Sequence, residues 1–207
     1  MSEVLCLASI KMKLVVIQYN AGNIRSVMYA LDRLHIQADL TDDPERIRAA
    51  DKVIFPGVGE ASTTMAYLRN RGLDEVIRGL TQPVLGICLG MQLLCDYSEE
   101  NDTPCLGIIP QQVRRFQPGD SGLKVPHMGW NSLKQLGSPL FPVDLEGQYV
   151  YFVHSYYAEV GPYTTAITDY VLPFSSGLQK DNFFATQFHP EKSGPVGQRI
   201  LEQFLKI

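Results

Sequence analysis

Between Lys13 and Leu94 the chain alternates short apolar runs with stretches of helical spacing, and this alternation limits the fold more than any other feature. Lys13–Gln18 is apolar and β-branched and reads as a buried strand. Ala21-Gly22-Asn23 reads as a turn, with Asn23 capping the next helix. Ile24, Val27, Met28, Leu31 and Leu34 then recur on one helical face. Ile36–Leu40 is a second strand. Asp42-Asp43-Pro44 opens a short helix, where the missing N–H of proline costs nothing. Lys52–Phe55 is a third strand and runs into Pro56-Gly57-Val58-Gly59. Ala61–Arg71 is helical and stops near Gly72, Leu73–Leu80 is a further short helix, and Val84–Ile87 is a fourth strand. Strands that alternate with helices predict a parallel sheet covered on both faces. Ligand sites in such sheets lie at the carboxyl ends of the strands. Pro56–Gly59 and Cys88 both follow predicted strands, so both belong on that edge.

Helical periodicity fades after about Tyr97. Val113–Phe116, Asn131–Gln135, Gln148–Val153 and Thr164–Tyr170 read as strands. Ser176–Lys180 and Phe183–Phe188 flank Asp181-Asn182 and read as a hairpin. Val196–Lys206 closes the chain as a helix, with Val196, Ile200, Phe204 and Leu205 on one stripe. The 207 residues suit one α/β domain with a central mixed, largely parallel sheet flanked by helices.

Bulk properties exclude several partner classes. The formal net charge is −4 and no basic block appears, which argues against nucleic acid. No apolar run approaches the ~20 residues of a membrane span. Val4–Ala8 is apolar but short, with Glu3 before it and Lys11 after it, so residues 1–12 read as an extension and not as a secretory signal. The cysteines are Cys6, Cys88, Cys95 and Cys105, with no C-x-x-C pair, so they suggest a reducing cytoplasm and no disulfide framework.

Gly86-Ile87-Cys88-Leu89-Gly90 places a cysteine on a strand-to-helix turn, where small flanking residues relieve a strained backbone. The amides at the helix start favour thiolate over thiol. Gln187-Phe188-His189-Pro190-Glu191 supplies a base and a carboxylate about a hundred residues later. Together they form a nucleophile, a general base and a group that orients the base. The amide of Leu89 and one from the Pro56–Gly59 loop are candidate donors to an oxyanion. Alone, the cysteine motif marks a buried inert thiol more often than a nucleophile. The order of glycine loop, cysteine elbow and His-Pro-Glu favours catalysis. Cys95 reads as core, His35 as solvated, and His127 and His154 do not read as metal ligands. Trp130 reads as core or as facing a partner.

The motifs Pro56-Gly57-Val58-Gly59, Gly86-Ile87-Cys88-Leu89-Gly90-Met91-Gln92 and His189-Pro190-Glu191 resemble those of class I glutamine amidotransferases. Lys124–Asn131, Tyr151–Tyr157 and His189–Ser193 are similar to segments of the glutaminase branch that serves imidazole glycerol phosphate synthases. The resemblance runs from about Lys13 to the C-terminus, as an amidotransferase domain over 13–207. It implies a flavodoxin-like fold and a Cys88 thioester that releases ammonia from L-glutamine. Val58 and Leu89 would hold the oxyanion, and Gly57, Gln92, Ser155 and Tyr156 the glutamine. Ammonia would pass to a separate (β/α)₈ cyclase subunit in histidine biosynthesis, with Met128, Trp130, Asn131 and Lys192 toward that heterodimer partner. No metal or organic cofactor is implied. Gln18-Tyr19-Asn20 departs from the Asp-Tyr-Gly of many members. The alternatives are another triad glutaminase such as the pyridoxal phosphate synthase subunit, a cysteine peptidase, and a non-catalytic module that only activates a barrel.

Overall fold

The computed structural model describes residues 12–19 and 24–207. The expected turn at Ala21–Asn23, its Asn23 cap, Cys6 and nearly all of the N-terminal extension lie outside these residues. The first half contains β1 (Leu14–Ile17), α1 (Ile24–Arg33), β2 (Ala38–Thr41), α2 (Pro44–Arg48), β3 (Lys52–Gly57), α3 (Ala61–Asn70), α4 (Leu73–Arg78), β4 (Val84–Cys88) and α5 (Leu89–Leu94). The second half continues with β5 (Cys95–Ser98), β6 (Thr103–Pro104), β7 (Ile109–Arg115), β8 (His127–Ser132), β9 (Tyr149–His154), β10 (Tyr156–Ala158), β11 (Thr164–Asp169), β12 (Pro173–Lys180), β13 (Phe183–Thr186) and α6 (Gly194–Lys206).

The main sheet runs β2-β1-β3-β4-β13-β12-β10-β7-β5-β6, with β11 also paired to β12. Its first five strands are parallel to their neighbours. The sheet turns antiparallel at β12, and one parallel pair returns at β5 and β7. Every residue of β1, β3 and β4 is buried, which is why these strands read as unbroken apolar runs. Side chains alternate between faces. Val15, Ile17, Val53 and Phe55 pack under α3, α4 and α5, while Leu14, Val16 and Ile54 pack under α1 and α6. Asp43 caps α2 by accepting from the Glu45 amide at 2.9 Å, with Pro44 at the first helical position.

The second half departs from the sequence reading at several points. The strand expected over Asn131–Gln135 lies earlier, over β8, because its partner β9 sets the register from His127 opposite His154 to Ser132 opposite Tyr149. Cys95 is buried core as expected, but it begins a strand because α5 ends at Leu94. The short strands β5, β6 and β10 carry too few residues to display a period. The hairpin around Asp181-Asn182 and the C-terminal helix stand where the pattern put them.

Candidate active site

β3 and β4 run side by side, so Gly57 lies opposite Cys88 at the carboxyl edge of the sheet. Cys88 has φ 54° and ψ −110°, a conformation costing about 1–3 kcal/mol for a residue with a Cβ. The surrounding backbone holds it there. A Cβ on Gly90 would stand 2.0 Å from the Phe55 carbonyl oxygen, and one on Gly57 would stand 2.3 Å from the Gly90 nitrogen. Only glycine permits this approach of the two turns. The elbow leaves Cys88 7 % exposed at the floor of a cavity of about 270 Å³. A larger groove of about 470 Å³ between Met12 and Ala49 is lined by no cysteine, serine, threonine or histidine.

His189 follows β13, which is parallel to β4 and adjacent to it. The chain then makes a 3₁₀ turn over Pro190–Lys192. His189 Nδ1 lies 2.8 Å from Glu191 Oε1, and both side chains are almost wholly buried. The carboxylate accepts the Nδ1–H, which leaves Nε2 for the sulfur side. Burial opposes a charge on this ring. Attraction to the sulfur anion of Cys88 outweighs it, helped by polar contacts to Cys88 and Glu191, and pushes the His189 pKa up to about 10. Nε2 makes no hydrogen bond of standard geometry with a neighbouring atom, so it is available to a reacting group. Ser193 ties the turn to β9: its hydroxyl donates to the His189 carbonyl at 2.7 Å and accepts from the Tyr151 amide at 2.9 Å.

The cavity is lined by Cys88, Leu89, Gln92, Ser155 and Tyr156, together with Gly59, Glu100, Pro126, Val153 and His154. Gln92 is buried, and its Nε2 donates to the Tyr156 carbonyl and to Gln187 Oε1, each at 2.9 Å. Gly57 lies beneath Gly90, Val58 is half-buried, and Gly59 reaches the cavity with φ +115°. Two supporting residues escaped the sequence reading. Tyr19 is buried, and its hydroxyl donates to the Pro56 carbonyl, which fixes the peptide leading into the glycine loop. Burial holds the Tyr19 phenol strongly protonated, and the neighbouring Cys88 sulfur adds to the effect. Glu100 stands past the end of β5, where Oε2 accepts the Ala61 amide at 2.7 Å. Burial raises its pKa, the Ala61 hydrogen bond opposes this, and Glu60 adds to the rise.

His154 lines the cavity, and His127 stands behind it. His127 Nδ1 and His154 Nε2 are 3.0 Å apart, and His154 Nδ1 lies 2.7 Å from the Tyr156 carbonyl oxygen. Burial lowers the His127 pKa to about 4. Burial is also the main cause for His154, at about 3, with a hydrogen bond to Tyr156 opposing and His127 and His189 reinforcing. Outside, Met128 and Trp130 are 64 % and 56 % exposed on β8. Trp130 meets the Tyr151 ring edge-on at 5.9 Å, and the Lys192 ammonium lies 6.0 Å from the same ring. Asn131 donates to the Asp169 carbonyl at 2.8 Å. Among the described residues no cluster of three His, Cys, Asp or Glu is arranged to hold a metal ion, and no helix is long and apolar enough to cross a membrane.

A family model for class-I glutamine amidotransferases matches residues 8–207. Imidazole glycerol phosphate synthase subunit HisH of Bacteroides fragilis is 59 % identical over 196 residues, covering 95 % of this chain and all of that protein. The protein of the same name from Idiomarina loihiensis is 48 % identical over 197 residues, covering 95 % of this chain and 98 % of its own. Among solved structures, a crystal structure of a glutamine amidotransferase aligns with TM-score 0.69 at 22 % identity, covering 93 % of this chain and 97 % of that one. A glutamine amidotransferase from Thermotoga maritima aligns with TM-score 0.62 at 18 % identity, covering 95 % and 83 %. These two structural likenesses bear on the fold alone.

Proposed function

The chain belongs to the class-I glutamine amidotransferases, and from that membership we propose how its site works. It is the glutaminase component of an imidazole glycerol phosphate synthase: it hydrolyses L-glutamine to glutamate and ammonia and serves histidine biosynthesis with a cyclase subunit. The lyase step belongs to the whole complex.

The Cys88 sulfur attacks the side-chain carboxamide carbon of glutamine. The resulting oxyanion faces the amide of Leu89 and that of Val58 in the glycine loop. His189 carries the proton on Nε2 and gives it to the departing ammonia. Glu191 holds Nδ1–H and stabilises the charged ring. Water then adds to the γ-glutamyl thioester, His189 takes its proton, and glutamate leaves. Gln92, Ser155, Tyr156 and Gly57 hold the glutamine, partly through backbone atoms, and the Glu100 carboxylate faces its ammonium. These side chains and water complete the reaction, so no metal or organic cofactor is part of it. Ammonia passes to the (β/α)₈ cyclase, seated against Met128, Trp130, Asn131 and Lys192. There it reacts to give imidazole glycerol phosphate and the aminoimidazole carboxamide ribonucleotide. The free thiol that the mechanism needs suits a cytoplasmic location.

The observation that carries this reading is the buried His189–Glu191 pair, 2.8 Å apart, acting on the sulfur of Cys88, which lines a cavity at the sheet edge. In the assembled complex, Cys88→Ala abolishes glutamine-dependent turnover while synthesis from added ammonia continues. Glutamine-dependent turnover that survives in this variant sinks the thioester route. The isolated chain releases glutamate slowly and speeds up with the cyclase and its nucleotide. Full activity of the chain alone contradicts that coupling.

A further inference from the structure

Gln187 is fully buried and has no part in the chemistry described so far. It follows β13, whose Thr186 pairs with Ile87 of β4, so it stands beside Cys88. Its backbone is fixed by a hydrogen bond from its amide to the Ser176 carbonyl at 3.0 Å. Its side chain joins a row of groups whose polarity is set by one atom. The Tyr156 carbonyl can only accept, so the Gln92 atom 2.9 Å away must be the amide nitrogen. That nitrogen also donates to the Gln187 side chain at 2.9 Å, so Gln187 must present its oxygen there. The Gln187 amide nitrogen is left facing the Cys88 sulfur at 3.7 Å.

We infer that Gln187 is a catalytic residue of the glutaminase, donating an N–H to the Cys88 sulfur and stabilising its anionic form. Beside the titratable His189 ring and Tyr19 phenol, the sulfur has two uncharged polar neighbours of opposite character. The Val153 carbonyl, at 3.9 Å, accepts from the protonated thiol. The Gln187 amide donates to the anion. Loss of the proton therefore exchanges one partner for the other with little movement. The donor lies in a dry, prebuilt position, where a hydrogen bond to a charge is strongest.

The inference rests on Cys88 being the nucleophile, and the test separates the two ideas. The complete chain in complex with its cyclase subunit is treated with iodoacetamide across a pH series, and alkylation of Cys88 is followed by peptide mass spectrometry beside residual glutamate release. Gln187→Glu keeps the shape and still accepts from Gln92 but cannot donate to sulfur. Gln187→Met removes the donor without adding charge. Both variants alkylate about tenfold more slowly at neutral pH, with the rate profile moved to higher pH, and Gln187→Glu moves further. A merely structural role leaves the profile in place. Profiles identical to the unsubstituted complex in both variants overturn the role of Gln187. Alkylation of Cys88 that leaves glutamate release intact overturns the nucleophile itself. Should neither variant assemble, the unsubstituted chain labelled with ¹⁵N-glutamine decides. A side-chain amide proton shifts downfield as Cys88 loses its proton and stops doing so in Cys88→Ala. The absence of any responding glutamine amide refutes the donation.

Discussion

His189 and the pair His127–His154 are all buried, yet they are held in opposite charge states. His189 is raised to about 10, whereas His127 and His154 are lowered to about 4 and about 3. Burial opposes the charge in all three. The difference lies in the neighbours. His189 has a carboxylate at 2.8 Å on one nitrogen and the Cys88 sulfur acting on the other side. His127 is stacked between Phe152 and Tyr170, with ring centroids at 4.8 and 4.0 Å, and its hydrogen-bonding neighbours are uncharged. The pair's tautomers follow from the Tyr156 carbonyl. It accepts from His154 Nδ1–H, so His154 Nε2 accepts from His127 Nδ1–H, and His127 Nε2 faces the Asn131 amide at 3.4 Å. Burial alone therefore specifies neutrality, and an adjacent anion converts a buried imidazole into an acid.

Removing the anion is the sharpest way to break this contrast. In Cys88→Ala the His189 titration falls by about two units or more, measured by ¹⁵N NMR of the imidazole, and glutamate release falls on the order of 10⁴-fold. An unmoved titration shows that the sulfur does not charge the ring. Glu191→Gln comes next: it lowers the His189 titration and cuts kcat about 10³-fold while the complex still assembles. Steady-state kinetics beside a binding measurement check this, and a loss below tenfold contradicts the orienting role.

The neutral pair supplies the third prediction, with the opposite sign. Its folded pKa values lie below the unfolded value of about 6.5, so its contribution to stability is complete above that pH and drains away as the solution is acidified toward 4. His189 behaves inversely: its contribution is complete below about 6.5 and is lost as pH rises through about 10. Denaturant unfolding between pH 6.5 and 4 should show a loss of about 1.4 kcal/mol per pH unit for each histidine kept neutral. The double variant His127→Phe, His154→Gln flattens that slope, and an unchanged slope means that other groups carry it. The smallest effect is at the rim. Asn131→Ala lowers stability by less than about 1 kcal/mol, read from the denaturant midpoint, because its contact to His127 is long and its 2.8 Å bond to the Asp169 carbonyl is exposed to water.

The parallel half was legible because its constraints are local. Strands buried on both faces leave unbroken apolar runs, and the cysteine turn announces itself through adjacent glycines. The His-Pro-Glu segment could be read as a motif, but its position beside Cys88 depends on β13 lying next to β4, a long-range pairing that no spacing reveals. β8 was displaced in the reading because its alternation is weak around Gly129 and its register is dictated by β9. Tyr19, Glu100 and the inward side of Gln187 were invisible for one reason. Each acquires its role from a group remote in sequence: the Pro56 carbonyl, the Ala61 amide, the Cys88 sulfur.

Gly57 and Gly90 touch through main chain alone, with no side chain between them to deform. The two turns consequently bear on each other like a tooth on its stop. Neither can be pressed toward the other without displacing it, so the loop that shapes the substrate recess and the peptide that carries the sulfur limit each other's inward travel.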